Sequence, residues 1–220
     1  MTVRAALLVL IDGRLPAGGH AHSGGVEAFV SRGELHDIES LRTLLVTRME
    51  TSGFVDATVA AATVRRERSW AELDAEAGAR IVSPALRIVS RTLGRQLIRT
   101  AQRMWPDARL DAVATVHADG PHHAVALGAA ALAAGVDPAD AATAAVYGSI
   151  ATPATAAIRL LGLDPVEVHG VLAALAPRVD MVAAAAAACP DLADAPAPGA
   201  PRAELAAEEH AHEEVRLFAS

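Results

Sequence analysis

The stretch GVDPADAATAAVYGSIATPATAAIRLLGLDP, residues 135–165, decides the fold class. Three times in this stretch, a side chain that can cap a helix stands directly before a proline: Asp137-Pro138, Thr152-Pro153 and Asp164-Pro165. Proline is favoured at the first helical position, and Asp and Thr are favoured just before it. Gly162 is a typical residue at the end of a helix. The pattern therefore predicts three helix starts, and Gly162 ends the helix that bears Arg159.

The rest of the chain continues this helical pattern. Hydrophobic residues make up 52% of the 220 residues, but aromatic residues only 3%, and much of the apolar share is alanine, the best helix former. No convincing strand with alternating apolar residues is present. We therefore expect an all-α fold, a compact helical bundle of about eight to ten helices with a flexible C-terminal tail. The predicted parts are a helical domain over 1–190, a flexible linker over 191–201, and a C-terminal helix with a docking tail over 202–220.

Composition excludes several kinds of protein. The formal net charge is -7, which argues against a nucleic-acid-binding face, and the sequence contains no lysine. Without lysine, neither a nucleotide-binding Walker-A motif nor a Schiff-base mechanism is available. The single Cys189 cannot form an intramolecular disulfide. The apolar run over residues 5–11 is too short to span a membrane, so we expect a cytoplasmic protein.

The richest motif is DGRLPAGGHAHSGGVE, residues 12–27. Its glycines permit positive φ angles and close backbone approach, and Pro16 stiffens the turn. A phosphate-binding loop is disfavoured because the lysine is missing. The segment around His22 and Ser23 partly matches a nucleophile elbow, so a small serine hydrolase is one alternative. The other interpretation is a buried glycine-rich turn in which His22 and Ser23 satisfy backbone groups.

Histidines occur in three close groups: His20/His22, His122/His123 and His210/His212. Imidazole suits nickel. Residues one or two positions apart on a helix do not face each other, so of the three groups only His20/His22, in a loop, has a geometry that could chelate. We expect the other two groups to be solvent-facing or to cap helices. A nickel-storage protein is a further alternative, but weak nickel binding by the free protein is the expectation.

Two arginine-containing segments also stand out. Arg91 and Arg95 lie four residues apart, on one face of a predicted helix, where they can hold an acidic partner. Gly94 between them is expected to permit close helix packing. The chain ends in Arg216-Leu217-Phe218-Ala219-Ser220, which combines apolar anchors with an arginine behind the predicted linker. Such a tail is typical of a docking segment.

Five segments, taken in order, resemble the urease accessory protein UreF family. They are Leu15-Pro16-x-Gly18 with His22-Ser23-Gly24-Gly25-Val26-Glu27, then Ser90-Arg91-x-x-Gly94-Arg95, then the predicted helix from His123 to Gly135, then Arg159-Leu160-Leu161-x-Leu163, and finally Arg216-Leu217-Phe218-x-Ser220. The resemblance covers nearly the whole chain. His20 departs from the family pattern, which commonly has an aromatic residue there. Val215 and Ala219 stand where Ser and Arg are typical.

The resemblance implies a helical, usually dimeric protein without a catalytic residue. It implies binding to UreD (also called UreH) and to the GTPase UreG, in an assembly that delivers nickel to apo-urease. Nickel would then pass in transit, with no cofactor held stably. Partner binding or a nickel route is expected at Leu15, Pro16, Gly18, His22, Ser23, Gly24, Glu27, Arg91, Arg95, Arg216, Leu217, Phe218 and Ser220.

Overall fold

The computed structural model describes residues 3–19 and 22–212. The helices are α1 (Val3–Leu10), α2 (Val26–Ser31), α3 (Ile38–Arg48), α4 (Phe54–Arg65), α5 (Trp70–Ala79), α6 (Pro84–Met104), α7 (Ala108–Ala114), α8 (His123–Ala133), α9 (Pro138–Leu161), α10 (Pro165–Ala187) and α11 (Pro201–Ala211). A π-helical turn, Met49–Gly53, joins α3 to α4. These residues contain no strand, which confirms the all-α prediction.

Short-range sequence signals place most helix ends correctly. The Asp37 side chain accepts a hydrogen bond from the Ser40 N–H at the start of α3. Asp137 and Asp164 cap α9 and α10 in the same way, each with a proline at the start of the helix. Gly162 ends α9 in the left-handed conformation, at φ 65°. The ends at Asp137, Asp164 and Gly162 were predicted because the interactions that make them join residues two to four positions apart.

The predicted helix start at Thr152-Pro153 is wrong. Helix α9 runs without interruption from Pro138 to Leu161, and Pro153 lies inside it and is buried. An interior proline costs a helix roughly 3 kcal/mol because it removes one backbone hydrogen bond. Since α9 packs along both α4 and α10, the burial of its apolar face offsets that cost.

Helix α4 lies at the centre of the bundle and packs against α8, α9 and α10. Its alanines Ala57, Ala60 and Ala61 are fully buried. Small side chains let neighbouring helix backbones approach closely, so an alanine-rich chain with few aromatic residues can still build a dense core. Alanine is therefore the most frequent residue of the core, alongside leucine and valine.

Two of the helices, α9 and α10, are long and apolar enough to span a membrane by length and composition. Buried residues make up 44% of the apolar window in α9 and 28% in α10. The two helices pack against each other and against α4. Core helices of soluble proteins pass the same test, so these two are weak signs of a membrane protein.

The segment after α10, predicted as a linker, carries a short 3-10 turn at Leu192–Asp194. Leu192 is fully buried, and Arg68 donates to Asp191 at 2.9 Å. The chain then enters α11, which packs on α2 and α6. The C-terminal helix therefore returns to the region of the N-terminal motif.

Candidate partner-binding groove

A groove of about 830 Å³ runs between the N-terminal motif and helices α3, α4, α6, α8 and α9. The first residues of α11 and the residues just before it form part of its wall. The lining is apolar for the most part, and its polar or titratable groups include His22, Arg48, Asp56, Ser90, His123 and Arg159. An apolar groove with a few polar groups is the usual form of a binding site.

The N-terminal motif is fixed to α6 at one side of this groove. Leu15 lines the groove and packs on the core. The carbonyl of Pro16 accepts a hydrogen bond from the Thr100 hydroxyl at 2.8 Å. Gly18 has φ 82° and lies directly against the side chain of Gln96. The motif is therefore a built turn, held at a defined place.

Ser23 acts within this turn as a hydrogen-bond acceptor for the backbone. Its Oγ accepts from the N–H of Gly25 at 3.2 Å and from that of Glu27 at 3.4 Å, at the start of α2. Ser23 is 0% exposed, whereas its neighbours His22 and Gly24 line the groove. A serine without solvent access cannot attack a substrate. The structure therefore supports the buried-turn interpretation and not the hydrolase.

Position 24 requires glycine for two reasons. Its φ is 63°, in the left-handed region that other residues rarely adopt. A Cβ at this position would also lie 3.3 Å from Cδ of Pro153. The interior proline of α9 thus packs against the turn, an arrangement that sequence spacing does not reveal.

Glu27, the last residue of the motif, is paired inside the protein. The Nε2 atom of His210 lies 3.4 Å from Glu27 Oε2, and His210 is 0% exposed. The expectation that the His210 group is solvent-facing or caps a helix is wrong for His210 itself. The pairing of His210 with Glu27 was missed because the two residues lie far apart along the chain and only the docking of α11 brings them together.

Sequence reasoning also missed Arg48 and Asp56, which flank the π-helical turn and line the groove. Arg48 Nε donates to the carbonyl of Ser149 at 3.2 Å. Burial raises the pKa of the Asp56 carboxyl to about 6, although the Arg48 charge opposes that shift. Burial also lowers the pKa of the Arg48 guanidinium. The available signal was a carboxylate in the mostly apolar α4. The π-helical turn beside it is of a kind that is frequent at functional sites.

Histidines from different sequence groups come together, whereas a pairing was expected within a group. His22 and His123 both line the groove. Burial and the nearby His22 lower the pKa of His123 to about 4. His20 lies outside the described residues. Within 3–19 and 22–212, no cluster of three or more His, Cys, Asp or Glu side chains is placed to hold a metal ion.

Arg91 and Arg95 bind the chain's own loop before α8. Arg91 Nη1 donates to Asp74 Oδ2 at 3.0 Å and to the Gly120 carbonyl at 2.7 Å. Arg95 Nη1 donates to the Asp119 carbonyl at 2.9 Å. Partner binding by these two arginines stays a prediction.

Gly94 and His122 complete this contact, which we call the α6–α8 junction (residues 90–95 of α6, the loop 119–122 and Asp74). A Cβ on Gly94 would lie 2.0 Å from the Pro121 carbonyl oxygen, so the predicted close packing is confirmed. His122 immediately precedes α8 but makes no capping bond with its side chain. It is 1% exposed, not solvent-facing. Its Nδ1 lies 3.1 Å from Ser90 Oγ, and its backbone N–H donates to Asp74 at 2.7 Å.

The tail residues Arg216, Leu217, Phe218 and Ser220 lie outside the described residues. For the remainder, an all-helical fold with a partly apolar groove and a buried Ser23 is typical of a protein that binds other molecules. Such a protein presents a surface to other molecules, and its chemistry is recognition.

Comparison with known proteins narrows this class. The UreF family profile matches residues 35–176. The chain is 45% identical to the urease accessory protein UreF of Mycolicibacterium vanbaalenii and 41% identical to that of Mycobacterium marinum, in both cases over the full length of both chains. It is 40% identical to UreF of Mycobacterium tuberculosis, over 88% of this chain and 90% of the relative. The chain belongs to the UreF family of urease accessory proteins, which are not enzymes.

Proposed function

We propose that this protein bridges UreD (UreH) and the GTPase UreG in the cytoplasm, in an assembly that delivers nickel to apo-urease. Membership of the urease accessory family supports a role in urease maturation. The proposed binding site rests on one observation: the Leu15–Glu27 motif forms part of the border of the groove. The motif that marks the family resemblance thus lies next to this groove.

Nickel in this proposal is cargo. His22, His123 and Asp56 place two imidazoles and one carboxylate along the groove, and these ligand types bind nickel. The Asp56 carboxyl, with its pKa of about 6, exchanges its proton near neutral pH. Ligands spread along a groove suit passage of an ion better than storage, because storage needs several ligands converging on one point.

The protein-binding elements of the proposal are the Leu15–Glu27 motif and the tail that ends in Arg216, Leu217, Phe218 and Ser220. Burying Leu217 and Phe218 in a partner would contribute about 3–5 kcal/mol before ordering costs, at roughly 1.5–3 kcal/mol for each large side chain. Each 1.4 kcal/mol is about tenfold in affinity. The tail alone can therefore decide whether a complex survives purification. We expect the protein to act as a homodimer.

The test is co-expression of the chain with its UreD and UreG, followed by affinity purification and mass measurement by size exclusion. We expect a complex that contains all three proteins. Deletion of residues 216–220 should remove UreD from the complex while the circular dichroism spectrum stays unchanged. Normal binding of UreD by the truncated protein would show that the tail is not the docking element. Failure of the full chain to bind either partner would contradict the bridging role.

A further inference from the structure

Helix α11 is held on the protein mainly by polar contacts. Of its residues, Ala206, Ala207 and His210 are buried and Ala203 is partly buried against the core, so the apolar part of the contact comes mainly from three alanine methyl groups. Leu205 on the same helix is 61% exposed. A helix that docks through so little apolar surface gains little from the hydrophobic effect.

The polar contacts lie at both ends of α11. Arg202 Nη2 donates to Glu34 Oε2 at 2.6 Å, and Glu209 pairs with Arg32 just after α2. Glu208 accepts hydrogen bonds from the Ser83 hydroxyl and from the Ala85 N–H, the latter at 2.9 Å. The hydrogen bond from Ser83 is the main reason that the pKa of the Glu208 carboxyl is lowered. Side chains of Arg202 and Glu209 remain largely in water, where ion pairs are weak and salt-sensitive.

Beneath this helix lies the functional motif. His210 covers the Glu27 carboxylate, and both residues are buried. Residues 198–204, which lead into α11 and form its first turn, line the groove itself. Residues 198–212 therefore act as one wall of the groove and as a cover over the end of the Leu15–Glu27 motif.

We propose that residues 198–212 form a releasable strap, which lifts from α2 and α6 as a unit and thereby opens the groove and uncovers Glu27. The weak apolar contact allows release, and the exposed ion pairs set how often it occurs. The strap is directly continuous with the chain beyond His212, so a protein that binds residues 213–220 can displace this helix. Release of the strap is a property of the free protein and does not depend on the proposed partners.

The test measures how fast a buried thiol in the strap reacts, in a Cys189→Ser background. Ala207→Cys places the thiol under the strap, Ala61→Cys places one in the core, and Leu205→Cys gives the exposed reference. Ala207 is 4% exposed and Ala61 0%. We expect the thiol of Ala207→Cys to react with a maleimide at least tenfold faster than that of Ala61→Cys, and faster still in 1 M NaCl.

Removing the ion pairs of the strap should increase the rate of thiol labelling further. The double change Glu34→Gln with Glu209→Gln should raise the labelling rate of the Ala207→Cys thiol about fivefold to tenfold, the size expected for two exposed pairs. The matched control is Glu39→Gln, which removes a carboxylate that faces Arg42 at 3.6 Å on α3, away from the strap. In the same double variant, backbone amide exchange of residues 24–31 should also become faster.

Two results would overturn the proposal. If the thiols of Ala207→Cys and Ala61→Cys react at the same rate, α11 opens only when the whole protein unfolds. If labelling accelerates while amide exchange of residues 24–31 stays unchanged, the helix moves without controlling the motif. Amide exchange in the unsubstituted protein tests the same point without any cysteine variant. The amides of α11 should exchange faster than those of α4.

Discussion

The groove and the α6–α8 junction are built from the same kinds of residue but use them differently. At the junction, Arg91 pairs with Asp74 and Ser90 contacts His122, and the Asp74 side chain is only 6% exposed. Along the groove, His22 and Asp56 line an open recess. Residue type alone does not separate a structural polar cluster from a binding site. What separates them is whether a neighbouring element fills the space in front of the polar groups.

Burial has different consequences in the two regions. The junction surrounds its charged pair with hydrogen-bond partners, as buried charges require. The groove leaves the Asp56 carboxyl with a pKa raised to about 6, because burial disfavours its charge more than Arg48 favours it. Changes at the junction should therefore act on folding, and changes at the groove should act on function.

The largest expected effect is at the junction. Gly94→Ala puts a Cβ 2.0 Å from the Pro121 carbonyl oxygen, so α6 and the loop before α8 must move apart. We expect the free energy of unfolding to fall by about 3 kcal/mol, the upper end for overpacking a close contact. Chemical denaturation checks this value.

The matched control for that change is Gly170→Ala in α10, where a Cβ meets nothing within 4 Å. It should leave stability unchanged or slightly raised, because alanine favours helix over glycine. Equal stability of the two variants would mean that the junction does not need close packing.

At the groove, Gly24→Val should abolish urease activation in cells and cost about 2 kcal/mol of stability. The reason is strain at φ 63° together with contact with Pro153. Gly19→Ala is the control, since a Cβ there has open space. Urease activity in co-expressing cells is the readout, with thermal unfolding alongside. Full activation by Gly24→Val would show that the turn has no role in maturation.

The smallest expected effect concerns pH, and it uses one histidine from each region. Burial lowers the pKa of both His122 and His123 to about 4, from an ordinary 6.5. Between pH 6.5 and 4 the unfolded chain therefore binds more protons than the folded one, so stability falls as pH falls. We expect each histidine to cost about 1 kcal/mol between pH 6 and pH 5. Asp56, whose folded pKa is raised, acts in the opposite direction below pH 6.

Variants separate these contributions. His122→Asn and His123→Gln should each make the dependence of unfolding free energy on pH less steep, measured by denaturation at several pH values. Asp56→Asn should make it steeper, because the opposing group is gone. A slope that stays the same in both histidine variants would contradict the burial assigned to them.

The sequence predicted local features well and long-range ones poorly. The caps at Asp137 and Asp164 and the helix end at Gly162 were predicted correctly, since each depends on neighbours a few residues away. The helix start at Pro153 was wrong because packing along α4 and α10 outweighed a local signal.

The sites show the same division. His22, Gly24 and Glu27 were singled out from their motif, and Gly94 from its place within a helix. Arg48 and Asp56 were missed because nothing next to them in the chain shows that they share a groove with His22 and His123. His210 was missed for the same reason, since only the docking of α11 brings it to Glu27.

By itself, the sequence determined the helical class, most helix boundaries and the motif that marks the family. These follow from backbone geometry, capping and periodicity, whose interactions span at most a turn or two of helix. Only the tertiary structure decided which polar groups are covered and which face the groove. Burial depends on where distant segments pack, and that packing sets the pKa of Asp56 and His123 and the pairing of Glu27 with His210.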